Sequence, residues 1–306
     1  MDFYTMFNAS TAACNNYLIF EKMRDVTVLI LYPVFCCVGI VTNGICILVL
    51  TRKKKRSPTH HFLLGLTISE LIHVLNDLLY FVSMFVSLFD VDTSMHMMQY
   101  IYPYSNYLFQ ATLMFTAWVT VSIATDRYVN VCHSKKARYY ITYKRGVIVI
   151  VVLAIVTLII SVPHNVDFLY LITSNRNVFI HTEIHHLTFE NIYHGCYYII
   201  RVIVPVLILI IFSALILHRL KRTRIRNGKR RTKINIILGI VSFIVCVTPD
   251  MIVSTMSRVH RTNYLVQGLS EFTRFLLLLN CSINAVIYCA LNIQFMKTLK
   301  GLCRMK

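Results

Sequence analysis

Acidic residues are scarce in this chain: 13 Asp and Glu stand against 31 Lys and Arg in 306 residues. Charged residues of both signs make up only 14%, beside 57% hydrophobic residues and a mean hydropathy of +0.62. That balance excludes an ordinary soluble domain. Catalytic signatures are lacking too. There is no Gly-rich phosphate loop, no His-Glu-x-x-His and no nucleophile elbow, so no enzyme class is indicated. Residues 1–25 lack a compact apolar stretch behind a basic start. No cleavable signal peptide is therefore expected, and the first apolar run has to act as its own insertion signal.

What the chain does have is long apolar runs. Crossing a bilayer takes about 20 residues of helix. Seven runs qualify: 26–51, 60–88, 98–130, 144–166, 192–218, 232–258 and 265–290. The predicted fold is all-α, a seven-transmembrane helix bundle over 26–290. An extracellular tail (1–25) precedes it, and an amphipathic helix with a short cytoplasmic tail (291–306) follows. In that last segment Leu291, Phe295, Met296, Leu299 and Leu302 repeat at helical spacing opposite Lys297, Lys300 and Arg304. Such a helix lies on a leaflet surface, with Cys303 at its end as a candidate palmitoylation site or a free thiol. Thr298 is the only hydroxyl residue there, so little tail phosphorylation is expected.

The missing acids also give the bundle a direction. Five cations (52–56) lie between runs one and two, five after run three, nine between runs five and six, and four in the tail. With Arg127 these are 24 of the 31 Lys and Arg, and none of the 13 acids falls in those loops or the tail. The positive-inside rule puts that side in the cytoplasm, in a plasma membrane, with the N-terminus outside. Anionic lipid and a protein partner suffice to explain a net charge of +18; no nucleic acid is needed. Asn8-Ala9-Ser10 is then a usable glycosylation acceptor on the outer tail.

Asp126-Arg127-Tyr128 closes the third run at the cytoplasmic edge, where a charge pair is costly unless it is used. With seven spans and an outward N-terminus, this triplet resembles that of a rhodopsin-like (class A) G-protein-coupled receptor. Other residues agree in order and spacing: Asn43 in Val41-Thr42-Asn43-Gly44, and Leu66-Thr67-Ile68-Ser69-Glu70 in the second run. Pro205 suits the fifth, Cys246-Val247-Thr248-Pro249 the sixth, and Asn284-Ala285-Val286-Ile287-Tyr288 the seventh. More narrowly, Asp126 to His133 followed by Lys136-Ala137-Arg138-Tyr139-Tyr140 is similar to invertebrate FMRFamide-type neuropeptide receptors. Leu279-Asn280-Cys281-Ser282-Ile283-Asn284 and Gln294-Phe295 fit the same group.

The resemblance implies an extracellular peptide ligand and a heterotrimeric G protein as partners. Asp126, Arg127, Tyr128, Pro249, Asn284 and Tyr288 would form the coupling switch. At rest Arg127 pairs with Asp126; on activation the sixth helix swings outward about Pro249 and Arg127 turns to the G protein. A snorkelling Arg127 is the plain alternative. The resemblance also implies a sodium site from Glu70, Asn43, Thr116, Asn280 and Asn284, against a protonated Glu70 hydrogen-bonded to asparagines; no other cofactor is expected. For a ligand ending in Arg-Phe-amide, Glu271, Asp250 and Asp77 are candidate guanidinium partners. Tyr107, Phe109, Phe272 and Phe275 would hold the aromatic end, and Gln110 an amide. Glu271 could instead pair with Arg274, three residues on.

Departures from the family pattern lie mostly at the outer end. Tyr102 stands where the third helix carries a cysteine, and 167–190 hold no cysteine to pair with one. Cys14 and Cys196 are the remaining candidates for an outer disulfide. Phe109 replaces the aspartate of amine receptors, and 265–290 hold no lysine for a retinal Schiff base. His181, His185 and His186 have zinc-compatible spacing but also suit a solvated loop. A divergent chemosensory or non-signalling receptor is the second reading, and a seven-helix channel or transporter the third.

Overall fold

The computed structural model describes residues 17–52, 58–133, 142–163, 187–221, 227–259 and 263–291. Among the described residues the chain forms seven helices and no strand. They are α1 (Tyr17–Thr51), α2 (Pro58–Val86), α3 (Val91–Cys132), α4 (Tyr143–Ser161), α5 (187–221), α6 (Asn227–Val259) and α7 (Tyr264–Leu291). Asn8, Cys14, the 181–186 histidines and the 292–306 segment with Cys303 lie outside the described residues.

Helix α3 runs past its apolar stretch because a polar residue caps it. At α3 the expected start was 98, yet the helix begins at Val91 because Asp90 caps it. The Asp90 carboxylate accepts the Thr93 N–H at 3.1 Å and the Thr93 hydroxyl at 2.6 Å. Those two bonds hold the Asp90 carboxyl below the usual carboxylate range. With 42 residues, α3 is about 63 Å long, twice a hydrocarbon core of about 30 Å. Its ends therefore project from the membrane.

Two helices contain a π-helical stretch, Asp25–Leu31 in α1 and Ile199–Ile203 in α5. A proline follows each: Pro33 and Pro205. Proline brings no N–H and crowds the carbonyl four residues back, which here belongs to Leu29 or Arg201. The preceding turn widens in response, and a widened turn rotates the side chains it carries. In α5 the side chain so displaced is Arg201.

Packing closes α1, α2, α3, α5, α6 and α7 into a ring in that order, α7 returning to α1, with α4 against α2 and α3. The interior is apolar: Leu113, Ala117 and Val121 of α3 meet Val202 and Leu209 of α5, Val247 of α6 and Leu277 of α7. The exterior is apolar as well. Helix α4 buries Gly146, Thr157 and Ser161 while exposing Ile148, Val151, Val152, Ile155 and Ile159. In water that helix would be inside out. In lipid it is normal, because small residues allow close helix contact and hydrocarbon solvates the branched ones. Among the described residues five helices, α1 to α5, are long and apolar enough to span a bilayer by composition; α6 contributes the shorter apolar stretch Ile244–Ser257.

The tightest approach is at Gly39 of α1. A Cβ there would sit 3.0 Å from Ser282 Oγ of α7 and 3.0 Å from Val74 Cγ2 of α2. Gly39→Val should therefore destabilise the bundle by about 1–3 kcal/mol through overpacking. Thermal unfolding in detergent would read this as a lower midpoint, and an unchanged midpoint would show that α1 is free to move aside.

Candidate functional site

Polar groups collect at three levels of the bundle. At one end, Asp126 of α3 is buried and its Oδ2 accepts the Thr59 hydroxyl of α2 at 2.5 Å. Its Oδ1 is buried without a hydrogen-bond partner. The expected ion pair with Arg127 is not formed; the ion pairs among the described residues are Arg24–Asp25, His73–Asp77 and Arg201–Asp250. Asp126 is turned instead toward Thr59 of α2. Tyr128 stacks on Phe212 of α5, centroids 5.0 Å apart and planes within 6°. Asn284 and Tyr288 lie in α7, and their side chains are outside the described set.

At mid-bundle Asn43, Glu70, Thr116 and Asn280 are all buried. Asn43 donates through Nδ2 to the Cys281 carbonyl at 3.3 Å, and its Oδ1 has no hydrogen-bond partner. Thr116 Oγ1 lies 3.3 Å from Ser69 Oγ. Asn280 Oδ1 is already engaged, accepting the Ser242 hydroxyl at 2.7 Å. Glu70 and the open Asn43 oxygen are the donors that a small hard cation would need at this level.

The third level, at the end opposite Asp126, holds a residue that the sequence reading missed. Arg201 of α5 is 1% exposed, and its Nη2 donates to Oδ2 of Asp250 of α6, itself 3% exposed. Nη1 donates to Gln110 Oε1 of α3 at 2.5 Å. The guanidinium also lies over the rings of Tyr197 and Tyr198, at 5.7 and 5.3 Å. The Tyr197 hydroxyl donates to the Gln110 carbonyl at 2.9 Å. Asp250, expected to face a ligand guanidinium, thus pairs with the protein's own. Gln110, expected to meet a ligand amide, is part of the same network. An arginine inside the fifth apolar run was the available signal, because such a residue needs an acid partner.

Beside this network, α1, α2, α3 and α7 enclose a pocket of about 350 Å³, counting the space at its mouth. Asp77, Tyr80, Tyr102, Phe109 and Arg274 are among its walls. His73 Nε2 lies 3.6 Å from Asp77 Oδ2. Glu271 Oε1 accepts the Tyr80 hydroxyl at 3.0 Å rather than pairing with Arg274, and Arg274 lies over the Tyr80 and Phe109 rings. Tyr107 turns away and donates to the Leu158 carbonyl of α4 at 3.0 Å. Phe275 is buried against Phe35 of α1, and Phe272 is exposed on the same flank. Of the expected pocket residues, only Asp77 and Phe109 line this cavity. Cys196 is exposed and unbonded.

Known proteins agree with this layout. The 7 transmembrane receptor (rhodopsin family) pattern matches residues 42–288. A sex peptide receptor of Drosophila melanogaster is 24% identical over 88% of this chain and 70% of its own length. An FMRFamide receptor of Drosophila melanogaster is 24% identical over 82% of this chain, and this chain spans about half of it, 49%. Seven packed helices with a lipid-type exterior, matched across nearly all their length, place the chain in the rhodopsin family of seven-transmembrane receptors.

Proposed function

We propose that the chain is a plasma-membrane receptor for an extracellular peptide, of the Arg-Phe-amide type, that activates a heterotrimeric G protein. The observation that carries this reading is the placement of α6. Its Pro249 hinge adjoins Asp250, which Arg201 holds to α5, while Asp126 lies about 24 Å along α3 from Gln110 of the same network. A ligand that alters the Arg201–Asp250–Gln110 network shifts α6 at its hinge, where a backbone hydrogen bond is already missing. The far end then opens beside Arg127. Two states biased by ligand make the coupling reciprocal, so a bound G protein tightens ligand binding in turn.

The excess of basic residues orients the Asp126 end toward the cytoplasm. Relatives named for a sex peptide and for FMRFamide support a peptide as the ligand class. Glu70 and Asn43 would hold a sodium ion at mid-bundle, its chemistry being to stabilise one of the two states. Amidated peptides applied to cells expressing the chain with a G-protein reporter should give a saturable response. If no peptide evokes one while a small odorant-like molecule does, the chemosensory reading replaces this one.

A further inference from the structure

Helix α2 buries an imidazole and a carboxyl that face each other one turn apart. The side chains of His73 and Asp77 are 1% and 7% exposed, and Nε2 lies 3.6 Å from Oδ2. That gap exceeds hydrogen-bond distance, and neither atom has a hydrogen-bond partner elsewhere. The far side of the imidazole decides which nitrogen carries hydrogen. His73 Nδ1 lies 2.9 Å from the Thr112 hydroxyl oxygen of α3. The one hydrogen of that hydroxyl is directed at carbonyls of its own helix, Leu108 at 2.8 Å and Phe109 at 3.0 Å. Toward His73 the oxygen therefore accepts, and Nδ1 is the protonated nitrogen. The Phe109 ring packs on the imidazole, centroids 5.0 Å apart, and keeps it so oriented.

With Nδ1 protonated, a neutral imidazole presents the Nε2 lone pair to Asp77. An ionised carboxylate would set two acceptors against each other away from water, which is costly. One added proton removes the conflict. It sits on Asp77 and is donated to Nε2, or sits on His73 and is donated to the carboxylate; the pair binds one proton in either case. Asp77 also lines the cavity between α1, α2, α3 and α7, whose enclosed part measures about 20 Å³, the room of one water. A space of that size suits a proton-carrying water and excludes larger ligands.

Titratable and charged neighbours come from the surrounding helices. They are Tyr32 and Cys36 of α1, Tyr102 of α3, Arg201 of α5, and Glu271, Arg274 and Cys281 of α7. Glu70 and Tyr80 share α2 with the pair, and α4 brings such groups only at the Asp126 end, in Tyr143, Lys144 and Arg145. Phenols, thiols and guanidinium groups ordinarily change charge above about pH 8. Glu70 and Glu271 are the neighbouring carboxyls, and the Tyr80 hydroxyl donates to Glu271.

We infer that His73 and Asp77 form a proton-binding site loaded through this cavity. Loaded, Asp77 is held by His73, which Thr112 and Phe109 fix to α3. Unloaded, the carboxylate turns to Arg274 of α7, which lines the same cavity with its guanidinium over the Tyr80 and Phe109 rings. A proton thus selects an α2–α3 contact over an α2–α7 contact. On the receptor reading, acidity at the outer face then tunes the response.

The test measures proton uptake by the full chain in nanodiscs from about pH 9 to about pH 5, a range that spans ordinary imidazole titration. In Asp77→Asn the side-chain amide donates N–H to Nε2 at every pH and keeps the pair satisfied. That variant should take up about one proton per chain fewer than the unaltered protein. His73→Phe keeps a ring against Phe109 but removes Nε2. Infrared spectra of the Asp77 carboxyl should show its midpoint moved by at least about one pH unit in this variant, the mark of a coupled pair. Equal uptake by the unaltered chain and Asp77→Asn overturns the inference. So does a carboxyl midpoint that His73→Phe leaves in place, which would make Asp77 an independent acid. No ligand or G protein enters the measurement, so its failure and that of the receptor reading are separate results.

Discussion

Arg201→Met should destabilise the bundle by about 3–5 kcal/mol, more than other single polar-to-apolar changes at this level, because it leaves a buried charge uncompensated. Asp250 sits at 3% exposure and its Oδ2 is taken by Arg201, with Ser254 giving Oδ1 only a long 3.4 Å contact. Removing the guanidinium also strips Gln110 Oε1 of its short hydrogen bond and two tyrosine rings of their cation. The double variant Arg201→Met with Asp250→Leu separates charge from packing. Replacing both members of a buried pair by apolar groups is often close to neutral, so the double variant should recover most of the lost stability. Thermal unfolding in detergent, run on both variants, gives the answer. A double variant as unstable as the single one would mean that shape and hydrogen bonding, and not the buried charge, dominate the site.

That network also shows where reading from sequence stops. Helix α4 was legible to within a few residues because its apolar run coincides with the membrane. The start of α3 was not, since the turns from Val91 are polar and owe their helicity to the Asp90 cap. Asp126-Arg127-Tyr128 was legible as a site because its residues are contiguous. The partner of Asp126 was not, because Thr59 comes from another helix and nothing local marks it. Arg201 and Asp250 were each visible as costly residues in apolar runs, yet their pairing depends on how α5 turns before Pro205. The π-helical stretch there decides which way Arg201 points. Spacing left Glu271 either facing a ligand or paired with Arg274; in three dimensions Tyr80 donates to the glutamate, and the guanidinium lies over two rings. Sequence reading thus singled out Asp126, Asp250 and Glu271 but missed Arg201, and helix rotation decided their partners.

At the other end, Arg127→Ala should reduce G-protein activation by roughly ten- to a hundredfold, the worth of one or two hydrogen bonds to a charged group. Ligand affinity measured without G protein should stay within about threefold, because Arg127 lies far from the pocket walls. The absence of an Asp126–Arg127 ion pair sharpens the expectation. Asp126 is held by Thr59, so Arg127 needs no release from its neighbour before meeting a partner. Thr59→Val is the matching control. It removes the hydroxyl from Asp126, loosens α2 against α3, and keeps the arginine; G-protein activation should persist, with any change appearing in the ligand-free level. If Arg127→Ala signals like the unaltered chain, Arg127 is a snorkelling side chain and the coupling surface lies elsewhere. If ligand evokes an ion current in cells lacking G proteins, the bundle conducts, and α6 gates a path through the membrane instead of a docking cavity at its face.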